Sequence, residues 1–220
     1  MVRAIGKSKL KSDGIMFVGN NAEDVTGSMI LIKFANKQIL LEAGLYQNND
    51  YLESYKVNTE KFKFKPEEID YIFIGHCHID HVGLLPRLVK EGFTGKIIMT
   101  YPTSIISKHL LLNCAFILSD EARVLSKRYG RAYSPIYSED DVYNTSKFYT
   151  VYNQYDTLFQ LDDVVSFQWL KNSHCVGAAQ LQLILNDGIK KRKLLYTSDI
   201  GGLETKNHYV ENTEVPTFYN

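Results

Sequence analysis

The densest group of chemically capable side chains lies at residues 76–81, which read His-Cys-His-Ile-Asp-His. Imidazole nitrogens and carboxylate oxygens are the ligands that zinc, iron and manganese take in hydrolase sites. His76 and His78 can face the same side of the chain because side chains alternate along an extended backbone. Asp80 and His81 follow on a turn, offset from that pair. The spacing predicts one metal position at the first two residues and a second at the other two.

The alternative interpretation of residues 76–81 is a polar turn in which the histidines only cap a helix. One histidine in such a turn would fit that interpretation. Three histidines and an aspartate, placed directly behind the apolar run Tyr-Ile-Phe-Ile-Gly at 71–75, favour a metal site.

The elements around this cluster follow from hydrophobic periodicity and turn residues. The run at 71–75 has the length and continuous apolarity of a fully buried strand. Apolar residues then recur at helical spacing from Leu84 to Val89, Gly92 is a helix stop, and Gly83 lets the helix begin close to the metals. Further strands are predicted at 15–19, 28–34, 38–42, 96–100, 148–152, 164–170, 180–185 and 194–197. Further helices are predicted at 103–117, 121–129 and from 138, with 47–59 as a polar loop containing a helical turn. Strands, then helices, then strands again predict layered α/β sheets and not a doubly wound nucleotide fold.

Composition sets broad limits. The chain has 220 residues, 25 basic and 25 acidic, so its net charge does not point to a nucleic-acid partner. Its apolar stretches are shorter than the roughly 20 residues that a bilayer requires, and the first residues do not resemble a signal peptide. Three cysteines without a Cys-x-x-Cys pair argue against a disulfide framework and a thiolate zinc site. We therefore expect a cytoplasmic protein with no membrane partner.

His-x-His-x-Asp-His is the signature of the metallo-β-lactamase superfamily, which this sequence resembles. The surroundings resemble the branch that contains the β-CASP ribonucleases: the turn at 26–28, the run at 40–47, and the stretch 78–86 followed by Gly92-Phe93 and Gly95. Two later segments, 173–179 and 196–201, resemble the segments of that family that carry further metal ligands. The fold that this resemblance implies is an αββα sandwich, here incomplete at its C-terminal end.

The resemblance also implies roles for individual residues. His76, His78 and His174 would hold one divalent ion, Asp80 and His81 a second, and Asp199 would bridge the two. Zinc is the expected metal, with manganese or iron as alternatives. Asp80 would also act in catalysis by orienting the attacking hydroxide.

Three departures from the family pattern stand out. Glu42 occupies a position where an aspartate usually supports the metal ligands from behind, and Ser173 and Ser198 stand where glycine is usual. A seventh ligand has no motif-matched candidate, because His208 and His109 are both predicted to be ordinary surface or packing residues. From the resemblance we expect residues 1–205 to form the metallo-β-lactamase core and 206–220 to begin a connection toward a β-CASP-like domain.

The function that the resemblance implies is metal-dependent hydrolysis of RNA, with this piece alone expected to bind metal and cleave RNA poorly. One alternative is a small-molecule hydrolase acting on a thioester, lactone or lactam, since one fold hosts many chemistries. Another is a non-catalytic RNA-binding homologue. RNA is the expected partner, and a homo-oligomer is compatible with the sequence. The basic run at 190–193 could touch a phosphate backbone, but a solvated hairpin tip is the simpler interpretation.

Overall fold

A computed structural model of the protein describes residues 12–19, 26–206 and 209–216. Within these segments the strands and helices follow one another along the chain as β1 Gly14–Phe17, β2 Ile30–Phe34, β3 Lys37–Leu41, α1 Tyr51–Thr59, β4 Tyr71–Phe73, α2 Ile79–Val82, α3 Leu85–Lys90, β5 Lys96–Met99, α4 Tyr101–Tyr129, α5 Glu139–Thr145, β6 Tyr149–Val151, β7 Phe159–Gln160, β8 Val165–Lys171, β9 Ala179–Asn186 and β10 Lys191–Tyr196. Short 3₁₀ turns lie at Pro66–Glu68 and Ser146–Phe148.

The strands form two sheets. The first has the order β1-β2-β3-β4-β5-β6, antiparallel up to β3 and parallel from β3 onward. The parallel part arises because each of those connections contains helices, whose length carries the chain back to the start of the next strand. The second sheet, β10-β9-β8-β7, is antiparallel throughout and ends in the predicted hairpin at Gly188 (φ 85°).

Two hydrophobic layers hold the fold together. Between the sheets, Phe73 of β4 meets Phe167 and Trp169 of β8 with ring centroids 5.1 and 6.1 Å apart. On the other face of the first sheet, Ile72 packs against α3 and α4 through residues such as Leu88. All three residues of β4 are buried, so the predicted fully buried strand is confirmed.

The mixed α/β fold class with facing sheets is therefore confirmed. Among the described residues, the helical side chains in the core belong to the layer on the first sheet, and the layer between the sheets contains strands and their loops. No helix in the described part of the chain is both long enough and apolar enough to cross a bilayer.

Two sequence predictions were wrong in detail. The helices predicted at 103–117 and 121–129 are one continuous helix, α4, because buried Leu118 and Ala122 keep its inner face apolar across the predicted break. The polar stretch at 47–59 contains a full helix, α1, capped by Asp50 and fastened by buried Asn58, whose side chain bonds both backbone groups of Tyr46. Hydrophobic periodicity could not reveal a helix that is held by polar contacts.

Candidate metal centre

The turn that carries the histidine cluster is hydrogen-bonded to two segments, the one just before β2 and the one that follows β3. Ser28 donates its backbone N–H to the carbonyl of Asp80 (2.9 Å), Ala43 to that of His81 (2.7 Å) and Leu45 to that of Ile79 (3.0 Å). A Cβ on Gly44 would lie 1.7 Å from the Asp80 carbonyl oxygen, so only glycine permits this approach. Backbone hydrogen bonds thus fix where the metal-ligand turn lies relative to the first sheet.

Three histidine nitrogens form one group. His78 Nδ1 lies 3.0 Å from His76 Nε2 and 3.2 Å from His174 Nε2, although His174 follows β8 of the other sheet. Burial and then the neighbouring histidines lower the pKa of His76 to about 2, and burial also lowers that of His174. Both rings are therefore neutral at physiological pH, as metal ligation requires.

Two carboxylates complete a second group around His81. His81 Nε2 lies 3.6 Å from Asp80 Oδ2 and 3.5 Å from Asp199 Oδ1. The other oxygen of Asp199, Oδ2, faces the first group, 3.7 Å from His174 Nε2 and 4.0 Å from His76 Nε2. The two oxygens of Asp199 therefore point to different groups of nitrogens.

Glu42 lies behind the ligands, fully buried. Its Oε1 accepts hydrogen bonds from the Gly75 backbone N–H (3.1 Å) and the Ser198 hydroxyl (3.0 Å), and lies 3.5 Å from His81 Nδ1. Burial alone would lower the pKa of His81, but the carboxylates of Glu42, Asp80 and Asp199 together outweigh it and raise that pKa. By distance, Glu42 could itself join His76 and His81 as a ligand. We assign it a supporting role, because its Oε1 faces His81 Nδ1 while His81 Nε2 faces the carboxylates of Asp80 and Asp199.

The donor set fits a divalent cation. Ring nitrogens of three histidines, 3.0–3.2 Å apart, converge on a space that carboxylates border, and His81 Nδ1 and Glu42 Oε2 are buried without a hydrogen-bond partner within the described structure. Such a concentration of buried imidazole is costly unless something satisfies it. A metal at His81 Nε2 would polarise that ring and strengthen its contact with Glu42 through Nδ1.

Asn172 is a residue that the sequence did not single out. It is 1% exposed and joins the two loops that bring ligands from the second sheet. Its Nδ2 donates to the carbonyls of Thr197 (3.3 Å) and Asp199 (2.7 Å), and its Oδ1 accepts from the backbone N–H groups of His174 and Gly201. The sequence feature that could have indicated Asn172 is its position, directly after strand β8 and two residues before His174.

The structure thus brings together all six predicted ligands and Glu42. His109 is exposed on α4, away from this cluster, and His208 lies outside the described residues. The basic run 190–193 is exposed at the β9–β10 hairpin, as the simpler interpretation predicted. All three cysteines are free thiols.

Comparison with known proteins agrees with this arrangement. The Metallo-beta-lactamase superfamily matches residues 22–141, more than half of the chain, so the protein belongs to that superfamily. Among curated proteins, Ribonuclease TTHA0252 of Thermus thermophilus is 27% identical over 183 residues, covering 83% of this chain and 37% of its own length. Endoribonuclease YSH1 of Yarrowia lipolytica is 31% identical over 209 residues, covering 93% of this chain and 23% of its own length. The chain therefore spans well under half of the length of either relative.

Among solved structures, BJP-1, a subclass B3 metallo-beta-lactamase of Bradyrhizobium japonicum, aligns over 96% of this chain and 68% of its own, with 19% identity and a TM-score of 0.48. The family assignment rests on the sequence match and on the ligand arrangement described above. The resemblance to ribonucleases of this superfamily, stated from the motifs, is confirmed by the names of the sequence relatives.

Proposed function

We propose that this protein contributes the metal centre of a ribonuclease that hydrolyses RNA phosphodiester bonds with two divalent ions, zinc being the first candidate and manganese or iron the alternatives. His76, His78 and His174 would hold one ion, Asp80 and His81 the other, and Asp199 would bridge them. The observation that carries the proposal is Asp199, whose Oδ1 and Oδ2 face the two nitrogen groups separately.

The residues of the site have three different roles, as metal ligands, as a group that orients a ligand and as a group that aligns the attacking water. When bound, two such ions lower the pKa of water to about 7 and neutralise charge on the phosphoryl oxygens. The histidines would present ring nitrogens to the ions, and Glu42 would orient the His81 ring from the protein side. Asp80, whose side chain is 24% exposed, is proposed to accept a hydrogen bond from the attacking water and so align it with phosphorus.

RNA is preferred as substrate because the sequence relatives named ribonucleases match over 83% and 93% of this chain. A thioester, lactone or lactam hydrolase on the same fold remains the competing proposal for the assay below.

The test is cleavage of end-labelled RNA by the protein at its natural full length, with zinc or manganese and then with a chelator. Asp80→Asn should lower the rate by about 10²-fold or more, because it removes the carboxylate that would hold the second ion and align the attacking water. His109→Ala is the matched control, because it removes an exposed histidine from α4 and should leave the rate unchanged. Hydrolysis of a thioester or lactone without RNA cleavage would favour the competing enzyme. Metal binding with no hydrolysis of either would favour a non-catalytic RNA-binding role.

A further inference from the structure

We infer that the Ser198 hydroxyl is a positioning group for the metal centre, linking His76 to Glu42 so that the His76 ring keeps Nε2 turned toward the metal. The inference rests on the proposed metal function and deepens it. It gives a role to a serine that stands where the family pattern has glycine.

The geometry forms a continuous relay. His76 Nδ1 lies 3.1 Å from Ser198 Oγ, and Ser198 Oγ donates to Glu42 Oε1 at 3.0 Å. When the serine donates to the glutamate, its oxygen is left to accept from the histidine; the Tyr196 hydroxyl also contacts both Ser198 and Glu42 and can donate to the same carboxylate. His76 must then carry its proton on Nδ1, which leaves the Nε2 lone pair free on the side of His78 and Asp199.

The backbone around this relay is shaped to hold it. Ser198 has φ 53°, a left-handed conformation that costs a residue with a side chain more than it costs glycine. A Cβ on Gly75 would lie 2.6 Å from Ser198 Oγ and 2.8 Å from Glu42 Oε1, so Gly75 leaves the space that the two side chains fill. A serine kept in a conformation that favours glycine, with its hydroxyl bonded on both sides, indicates that the hydroxyl has a use.

The longer arm of Glu42 and the serine hydroxyl belong to one arrangement. Glu42 Oε1 approaches His81 Nδ1 only to 3.5 Å and has no direct hydrogen bond with His76, but it reaches that ring through Ser198. The two departures from the family pattern, at 42 and at 198, are therefore coupled in this chain. Changing either one should remove the same link.

The experiment measures zinc affinity by competition with a chromophoric chelator, together with urea unfolding of the metal-free protein. Ser198→Ala removes the hydroxyl and Ser198→Gly also relieves the strained backbone. Both should weaken zinc affinity about 10–100-fold, the range for losing a group that orients a ligand. The metal-free stability of Ser198→Gly should be equal to or higher than that of the unchanged protein. Ser126→Ala is the control, because it removes a hydroxyl bonded to Ala122 and Tyr133 far from the ligands.

A second set of variants tests the coupling. Glu42→Leu removes the carboxylate that accepts from Ser198 and should weaken zinc affinity by itself; adding Ser198→Ala to it should weaken affinity less than twofold further, since the relay is already broken. Independent, multiplying effects would overturn the relay, as would a Ser198→Ala affinity within twofold of the unchanged protein. Failure of the unchanged protein to bind zinc would overturn the proposed metal function and the relay together, which separates that failure from a failure of the relay alone.

Discussion

The metal centre has two halves of different construction. The half on the first sheet carries His76 and His81, which are buried, on a turn fastened by backbone hydrogen bonds to the segment after β3. The half on the second sheet carries His174 and Asp199 on loops, with side chains 24% and 49% exposed. Those loops are joined through the side chain of Asn172 and through the Ser173 hydroxyl, which donates to the Gly202 carbonyl (2.6 Å).

This difference shows two ways of fixing ligands. In the first half, the backbone fixes the ligands. The turn after β4 is hydrogen-bonded to Ala43 and Leu45 and packs directly on Gly44. In the second half, side chains hold together two ligands that are 25 positions apart in sequence, and the buried amide of Asn172 makes four of these hydrogen bonds. We therefore expect backbone changes to destroy the first half and side-chain changes to loosen the second.

The largest effect should come from Gly44→Ala. The added Cβ would lie 1.7 Å from the Asp80 carbonyl oxygen and 2.6 Å from the Ser28 nitrogen, both backbone atoms that cannot yield without moving the turn. We expect the free energy of unfolding to fall by about 3 kcal/mol or more, with loss of metal binding. Urea unfolding and metal analysis measure the two effects.

The control for that change is Gly130→Ala, at the end of α4. Gly130 has φ +63° and nothing within 4 Å of an added Cβ, so only backbone strain of about 1 kcal/mol is expected, with metal binding intact. Equal costs for the two alanines would show that the contact at Gly44 is not what fixes the first half.

A smaller effect is expected for Asn172→Ala. The change leaves buried backbone groups of both ligand loops without partners, at a cost of about 2 kcal/mol, and should weaken metal affinity at least tenfold. Denaturant unfolding and chelator competition give the two numbers. The control is Asn58→Ala. Asn58 is also a buried amide, but its two hydrogen bonds go to the backbone of Tyr46 and not to a ligand loop. Asn58→Ala should lower the free energy of unfolding by a similar amount and leave metal affinity unchanged; equal losses of affinity in the two variants would contradict the special role of Asn172.

The smallest effect concerns the contacts that join the two sheets away from the metal. Asp162, before β8, pairs with Lys37 (2.7 Å) and accepts from the Tyr71 hydroxyl (2.8 Å), both on the first sheet. Burial would raise the pKa of Asp162, but these partners and two backbone N–H groups outweigh it and lower that pKa from 3.8 to about 2.

A lowered pKa means that the carboxylate stabilises the fold above about pH 4 and loses that contribution as the pH falls toward 2. Asp162→Asn should cost about 1 kcal/mol at pH 7, allowing for solvent screening, and progressively less as the pH is lowered below 4. Urea unfolding of both proteins across that range measures it. Metal affinity at pH 7 should not change, and a large loss would mean that the two halves depend on this distant tether.

The sequence predicted the first half better than the second for a physical reason. Residues 76–81 place their ligands side by side behind a buried strand, so local pattern is enough to assign them. His174 and Asp199 were assigned only through their resemblance to a family, because isolated polar residues carry little local signal. Asn172 and Ser198 carry little local signal either, since most of their partners are backbone groups or side chains 25 to 156 positions away.

The same limit explains the fold. Strands β4 and β8 and the hairpin at Gly188 follow from apolar runs and turn residues, and they were predicted. For helix α1 the sequence predicts only a loop with a helical turn, because its buried residues are Ser54 and Asn58, which hydrophobic periodicity does not detect. Hydrophobic periodicity therefore predicts elements that bury apolar side chains and does not predict elements that polar hydrogen bonds stabilise.

The most direct test of the metal centre is the metal content per chain, by elemental analysis of protein purified without chelator, beside a His78→Ala, Asp80→Ala double variant. About two equivalents of zinc, manganese or iron in the unchanged protein, lost in the variant, is the predicted result. About one equivalent would contradict the joining of both halves into a two-metal site. No metal in either protein would contradict the metal centre itself.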